Sequence, residues 1–285
     1  MALHKQTFIT RSLSAVVFVV MLLGALLLNI YSFSALFFLV ALIALTEFMQ
    51  LSVKLGFRPY RGLAYLSGIY VYVVFSAEAL FPQIPPIAAM LKAMQAFTLV
   101  LPFLILSRAL FDKRDHALQN AFFTLMAVIY ACLPFALLNQ VVVFSDGVSL
   151  PSYHPHLLLG AIFLIWANDT FAYLGGSFFG KHKMIPRVSP GKTWEGTIIG
   201  VLVAFALSFS FKFFLNTSHP NLWPVLGLCI PVLATLGDLV ESLLKRKAGV
   251  KDSGNLMPGH GGALDRFDSL IFVSPFVYAL VQFIA

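Results

Sequence analysis

The chain has 285 residues, of which 59% are apolar and only 11% charged, against about 25% charged in an ordinary soluble domain. This excludes a soluble fold around one large core and makes the chain an integral membrane protein. The formal net charge of +7 would suit nucleic acid, but its distribution along the chain argues for a different partner.

A membrane-spanning helix needs about 20 apolar residues. Nine such stretches are predicted: 12–30, 33–51, 62–81, 88–107, 118–143, 157–178, 195–215, 222–242 and 267–284. The expected fold class is therefore an all-α polytopic membrane protein. The first stretch is long and lacks a small-residue cleavage site, so it reads as a retained span and not as a signal peptide. Pro102 and Pro134 interrupt the fourth and fifth stretches, and Pro231 and Pro275 are placed to kink two others. Residues 1–150 form an N-terminal set of spans one to five, and residues 151–285 carry spans six to nine with their loops. Cys132 and Cys229 both lie in apolar runs and read as small hydrophobes.

The basic residues test this span count. With the N-terminus in the cytoplasm, 17 of the 19 lysines and arginines fall on the cytoplasmic side, leaving only Lys92 and Lys212 outside. The positive-inside rule requires this asymmetry for short loops. The basic excess is thus mostly topology, with anionic lipid or phosphate as the expected partner and no nucleic acid. The longest outer connection is 144–156; its His154 and His156 read as exposed loop residues.

Two cytoplasmic loops hold nearly all the unusual residues. The first follows span six, from Trp166 to Gly196. Asp169 there lies roughly 10 residues, or about 15 Å, from the cytoplasmic end of its span. A charge at such a depth costs about 2.5–3.5 kcal/mol. Either the carboxyl is protonated or packed against a neighbour such as Asn168, or a polar cavity descends to it. Gly175, Gly176 and Gly180 permit close helix packing or a loosened span end. The run Ser189-Pro190-Gly191-Lys192-Thr193 combines hydroxyls, a glycine and a lysine just before a helix. It lacks the spacing of a P-loop, yet backbone N–H groups at the start of span seven suit an anion. Glu195 in the first turn complements the helix dipole.

The second loop runs from Ser242 to Leu270, SLLKRKAGVKDSGNLMPGHGGALDRFDSL. It holds five basic residues, three aspartates, a histidine and five glycines between two apolar segments. Carboxylates at a membrane edge, cations beside them and glycines that admit close backbone approach describe a site for a divalent metal and phosphates. Asp238, Glu241 and Lys245 share one helical face, with Glu241 and Lys245 spaced as an i,i+4 ion pair and Asp238 without such a partner. Asp265 and Asp268 are also three apart. Asp238, Asp265 and Asp268, converging from two consecutive helices, are the expected Mg²⁺ ligands, Asp268 as a third ligand or as support to the other two.

The run Ser242–Asp268, S-L-L-K-R-x4-K-D-S-G-x2-M-P-G-H-G-G-A-L-D-R-F-D, resembles the signature of the phosphatidate cytidylyltransferases over 27 residues. Met257 and Ala263 depart mildly from it, in packing more than in chemistry. The segments around Asp169, Ser189–Gly196 and Gly237–Glu241 resemble the family's other marked regions, so the likeness runs from about Trp166 onward. It implies CTP and phosphatidic acid as substrates, CDP-diacylglycerol and pyrophosphate as products, Mg²⁺ as cofactor, and a homodimer in a bacterial inner membrane with its active site facing the cytoplasm. Lys245, Arg246, Lys251, Arg266, Lys181 and Lys192, with Ser189 and Thr193, are then candidates for holding phosphates. Asp252, His260, Gly261 and Gly262 enter only through the matched run. Two other classes share the physics: another membrane enzyme joining a lipid phosphate to a nucleotide, and an ion-coupled transporter, since intramembrane acids often mark ion paths.

Overall fold

The computed structural model describes residues 5–81, 85–144, 152–215, 220–256 and 261–284. Each predicted span has a helical counterpart. The first three are α1 (Lys5–Leu28), α2 (Ile30–Lys54) and α3 (Arg61–Leu80). The fourth is broken: α4 (Pro85–Phe97) passes through a 3-10 turn into α5 (Leu101–Arg108), with Pro102 in the first turn of α5. The fifth breaks at Cys132 between α6 (Ala117–Ala131) and α7 (Leu133–Val141), where Pro134 cannot donate to the preceding turn. Then follow α8 (His156–Phe179), α9 (Trp194–Phe214), α10 (Trp223–Lys247) and α11 (Leu264–Ile284). Pro231 and Pro275 sit inside unbroken helices.

Seven helices or helix pairs among the described residues are long and apolar enough to cross a membrane, and α1 adds a shorter apolar stretch, Ser12–Leu28. Many large apolar side chains point outward, Leu202, Phe209 and Phe213 of α9 among them, as lipid-facing positions require.

Two short hairpins supplement the helices. Strand β1 (Val143–Phe144) pairs antiparallel with β2 (Ser152–Tyr153). Strand β3 (Lys183–Ile185) pairs with β4 (Ser189–Thr193). The Ser189–Thr193 segment, expected as a loop, is thus an edge strand running straight into α9. Thr193 caps that helix, its hydroxyl accepting from Gly196 N at 3.2 Å. Glu195 reaches back across the hairpin, accepting from Lys181 N and His182 N, each at 3.2 Å, and pairing with His182 Nδ1 at 2.5 Å.

One apolar core runs through both halves of the chain, from Phe33, Phe37 and Leu45 of α2 through Phe135 of α7 to Phe267 and Ile271 of α11. Helices α8 and α9 approach at backbone distance: a Cβ on Gly196 would stand 2.5 Å from Ala172 O, and one on Gly200 would stand 2.7 Å from Asn168 O. This is the small-residue packing expected of membrane helices, although the residues that do it on α9 are Gly196 and Gly200. It brings β4 alongside the polar turns of α8 and α10. Outside the spans, Arg114 forks onto Asp112 and hydrogen-bonds it, holding that carboxyl well below the usual carboxylate range.

Candidate active site

A cavity of about 680 Å³ opens between α1, α8, β4, α10 and α11. Its lining is mixed in character. Phe18 and Leu22 of α1, Ile162, Ile165 and Trp166 of α8, and Phe267 and Leu270 of α11 are its main apolar lining. Asp169, Ser189, Lys192, Thr193, Thr235, Asp238, Lys245, Asp252, Asp265, Arg266 and Asp268 are its main polar lining.

Asp169 is exposed to this cavity. Features of both readings of its depth are present: Asp169 lines a polar cavity, and its Oδ1 also lies beside Asn168. Its neighbour Asn168 is buried, with Nδ2 3.3 Å from Asp169 Oδ1 and 3.4 Å from Thr235 Oγ1.

Lys192 leaves the end of β4 and reaches α10, where its Nζ lies 2.6 Å from Asp238 Oδ2. Asp238, expected to have no basic partner, therefore has one from a strand 46 positions earlier in the chain; sequence spacing within α10 has no bearing on it. Ser242 Oγ also donates to Asp238 Oδ1, at 3.2 Å.

The acidic cluster differs from the expected trio. Asp238, Glu241 and Asp268 bring one carboxylate oxygen each within 4.8 Å of one another. Glu241 is fully buried, and neither of its oxygens has a hydrogen-bond partner. Lys245 Nζ lies 2.5 Å from Glu241 Oε2, an ion pair whose angle does not make a hydrogen bond. The i,i+4 pair read from sequence is present, and Glu241 also belongs to the acid cluster.

Asp265 points elsewhere. Its Oδ1 accepts from Lys245 Nζ at 2.6 Å. Its Oδ2 accepts from Ser253 N at 2.8 Å, from Gly262 N at 2.7 Å, and lies 2.9 Å from Ser253 Oγ. Its two oxygens thus have four partners, and Asp265 is not part of the cluster of close carboxylates. The reason is position along α11: Asp265, in its first turn, meets Lys245 at the end of α10 and the loop, while Asp268, nearly one turn on, meets Asp238 and Glu241 of α10. Gly261 sits at φ +80°, a left-handed conformation that suits glycine, and brings the chain round so that Gly262 N meets Asp265.

Of the remaining predicted residues, Arg266 and Asp252 line the cavity. Arg246 turns away from it, donating to Val188 O at 3.4 Å and Val250 O at 3.2 Å. Lys181 and Lys251 are exposed and lie off the cavity wall. Gly261 and Gly262 shape the loop behind Asp265 and do not line the cavity. His260 lies outside the described residues.

One residue at this site has no counterpart in the sequence reading. Glu47 of α2 is buried beneath the loop, with Oε1 accepting from Ala263 N at 2.9 Å and Oε2 from Leu264 N at 2.9 Å. Ser253 Oγ lies 2.8 Å from the same Oε2. The signal was available: Glu47 is an acid inside an apolar span, the same signal that marks Asp169.

A helical bundle around a cavity lined by both apolar side chains and by carboxylates and lysines defines a membrane protein equipped to bring a lipid and an anionic group together. The sequence matches the cytidylyltransferase family over residues 9–284, and the chain belongs to that family. It is similar to a phosphatidate cytidylyltransferase of Staphylococcus aureus (strain COL), 35% identical over 280 residues, 97% of this chain and 98% of that protein. Proteins of the same name from Staphylococcus haemolyticus, 35% identical over 277 residues (95% and 98%), and Staphylococcus epidermidis, 33% identical over 280 residues (97% and 98%), are similar to it as well.

Proposed function

We propose that this chain is a phosphatidate cytidylyltransferase: it transfers a cytidylyl group from CTP to phosphatidic acid, giving CDP-diacylglycerol and pyrophosphate. Beyond family membership, the observation that carries this reading is the mixed apolar and cationic lining of the cavity. A substrate with acyl chains and a phosphate head needs apolar and cationic surface in one cavity, and Phe18, Leu22 and Ile165 line the same cavity as Lys192 and Lys245. Its volume lies in the range of small-ligand sites, about 300–1,000 Å³.

In the reaction, a lipid phosphate oxygen attacks the α-phosphorus of CTP. The bond from that phosphorus to the α,β-bridging oxygen breaks, and the electron pair leaves with pyrophosphate. The attacking phosphate is already anionic near neutral pH, so no strong base is required. The difficulty is repulsion between two polyanions, and positioning with charge neutralisation supplies most of the catalysis. Lys192, Lys245 and Arg266 line the cavity and are the groups for that task. Arg246, Lys181 and Lys251 lie further out and would act on the approach of substrate.

A divalent cation fits the acid cluster. Asp238, Glu241 and Asp268 offer oxygen donors; in the buried Glu241 carboxylate Oε2 pairs with Lys245 and Oε1 has no partner among the described residues. These three residues would hold Mg²⁺, with Asp265 outside the ligand set. When bound, Mg²⁺ supplies further neutralisation of phosphate charge, and it characteristically combines one or two carboxylates with waters and substrate phosphates. The distribution of the basic residues supports a cytoplasmic N-terminus, with both polar loops and the cavity mouth on the side where CTP is found.

The test is product formation by the purified full-length protein in micelles with phosphatidic acid, CTP and MgCl₂. CDP-diacylglycerol and pyrophosphate should appear in equal amounts and only with CTP. Absence of a CTP-dependent lipid product, with ion flux in proteoliposomes, would replace the enzyme by a transporter.

A further inference from the structure

The N-terminal spans contribute a side chain to the site that nothing in the cavity wall reveals. Glu47 belongs to α2, more than 200 positions before its partners, and is 5% exposed. Three donors converge on it: Ser253 Oγ from one end of the glycine-rich loop, and Ala263 N and Leu264 N from the other. The last two are backbone N–H groups at the start of α11, which no residue within the helix can satisfy, and a carboxylate is the side chain best suited to them. Room for it is made on the loop side. A Cβ on Gly254 or on Gly262 would collide with the Glu47 carboxylate.

The contacts continue into the cavity. The Ser253 hydroxyl lies between Glu47 Oε2 and Asp265 Oδ2, at 2.8 and 2.9 Å, and its single proton serves one of them at a time. Asp265 in turn holds Lys245 Nζ at 2.6 Å, and Lys245 lines the cavity.

We propose that Glu47 is a positioning residue: it holds Ser253, Ala263 and Leu264 to α2 and, through Ser253 and Asp265, fixes Lys245 in the cavity. Its kinetic consequence rests on the cytidylyl-transfer reading; its structural consequence does not.

Glu47→Gln tests this. The amide is isosteric and removes a charge from a membrane helix, so insertion and folding are spared. It presents an NH₂ to a set of N–H and O–H donors and cannot satisfy all three. Hydrogen exchange of the full chain in micelles should quicken about tenfold in peptides covering 261–270 and stay unchanged in α3. Turnover per folded molecule should fall about tenfold or more, with the KM for CTP kept within about threefold. Glu47→Asp, which keeps the charge on a shorter stem, should recover part of the turnover. Unchanged exchange at 261–270 overturns the proposal whatever the activity. Exchange raised equally in α3 shows a general structural role and also overturns it, as does a locally loosened loop with wild-type turnover. If the wild-type protein makes no CTP-dependent product, the functional reading fails, and the exchange experiment alone still decides whether Glu47 holds the loop.

Discussion

Gly237→Ala probes the proposed cation site without removing any charged group. Gly237 lies on α10, one residue before Asp238, against the backbone of α11. A Cβ there would stand 2.5 Å from the carbonyl oxygen of Asp268 and 3.2 Å from its carbonyl carbon. The obstacle is main chain, so no side chain can swing aside. Ordinary contact begins near 3.4 Å, and relief requires α10 and α11 to part by roughly 0.9 Å, an overpacking strain of about 1–3 kcal/mol. The same displacement moves Asp268 from Asp238 and Glu241, whose oxygens lie within 4.8 Å of it. Mg²⁺ tolerates little of this, since it requires ligands at about 2.0–2.1 Å in near-octahedral geometry. The half-saturating Mg²⁺ concentration should rise about tenfold or more, and turnover at saturating metal should drop by up to about 100-fold, the effect of a shift near 1 Å. The assay is CDP-diacylglycerol formation across a magnesium titration, beside a thermal melt in micelles. Gly62→Ala is the control: no atom lies within 4 Å of its Cβ position, in the first turn of α3, and it should leave both readouts unchanged. A folded Gly237→Ala protein with wild-type magnesium dependence would refute a cation held between α10 and α11.

Asp268→Asn and Asp265→Asn should separate. The first should raise the magnesium requirement more than about tenfold, whereas the second should lower turnover through Lys245 and leave that requirement within about threefold; equal magnesium shifts in both would return Asp265 to the ligand set. Lys192→Met should reduce turnover about 100-fold by removing a cation from the cavity, and should change stability by less than about 1 kcal/mol, because the Lys192–Asp238 pair is partly solvated; wild-type turnover would remove Lys192 from the site. A cysteine in place of Asp169 should react with a membrane-impermeant thiol reagent from the cytoplasmic side and be protected by CTP with Mg²⁺, and Asp169→Asn should lower turnover more than stability. An unlabelled cysteine, with full activity in Asp169→Asn, would take Asp169 out of the mechanism.

What the sequence determined by itself is the set of properties that depend on neighbours along the chain. The length of an apolar run decides whether a helix crosses a membrane, so the spans and the breaks at Pro102 and Pro134 were legible. An acid in an apolar run is costly wherever the run ends up, so Asp169, Asp238 and Asp268 stood out, and the 27-residue run Ser242–Asp268 carried the family resemblance. Spacing of i,i+4 put Glu241 beside Lys245. The tertiary structure alone decided which of these groups meet. A three-residue spacing assigns two side chains to one face of α11 but leaves open how α11 is set against α10, and that placement gave Asp268 to Asp238 and Glu241 and Asp265 to Lys245 and Ser253. Lys192 found Asp238, and Glu47 found Ala263 and Leu264, across chain separations over which helical periodicity carries no information. The packing around them uses glycines that admit close approach, at Gly196 and Gly200 between α8 and α9, at Gly237 between α10 and α11, and at Gly254 and Gly262 against Glu47. Close approach is a property of two surfaces at once, and a pattern read along one of them cannot specify it.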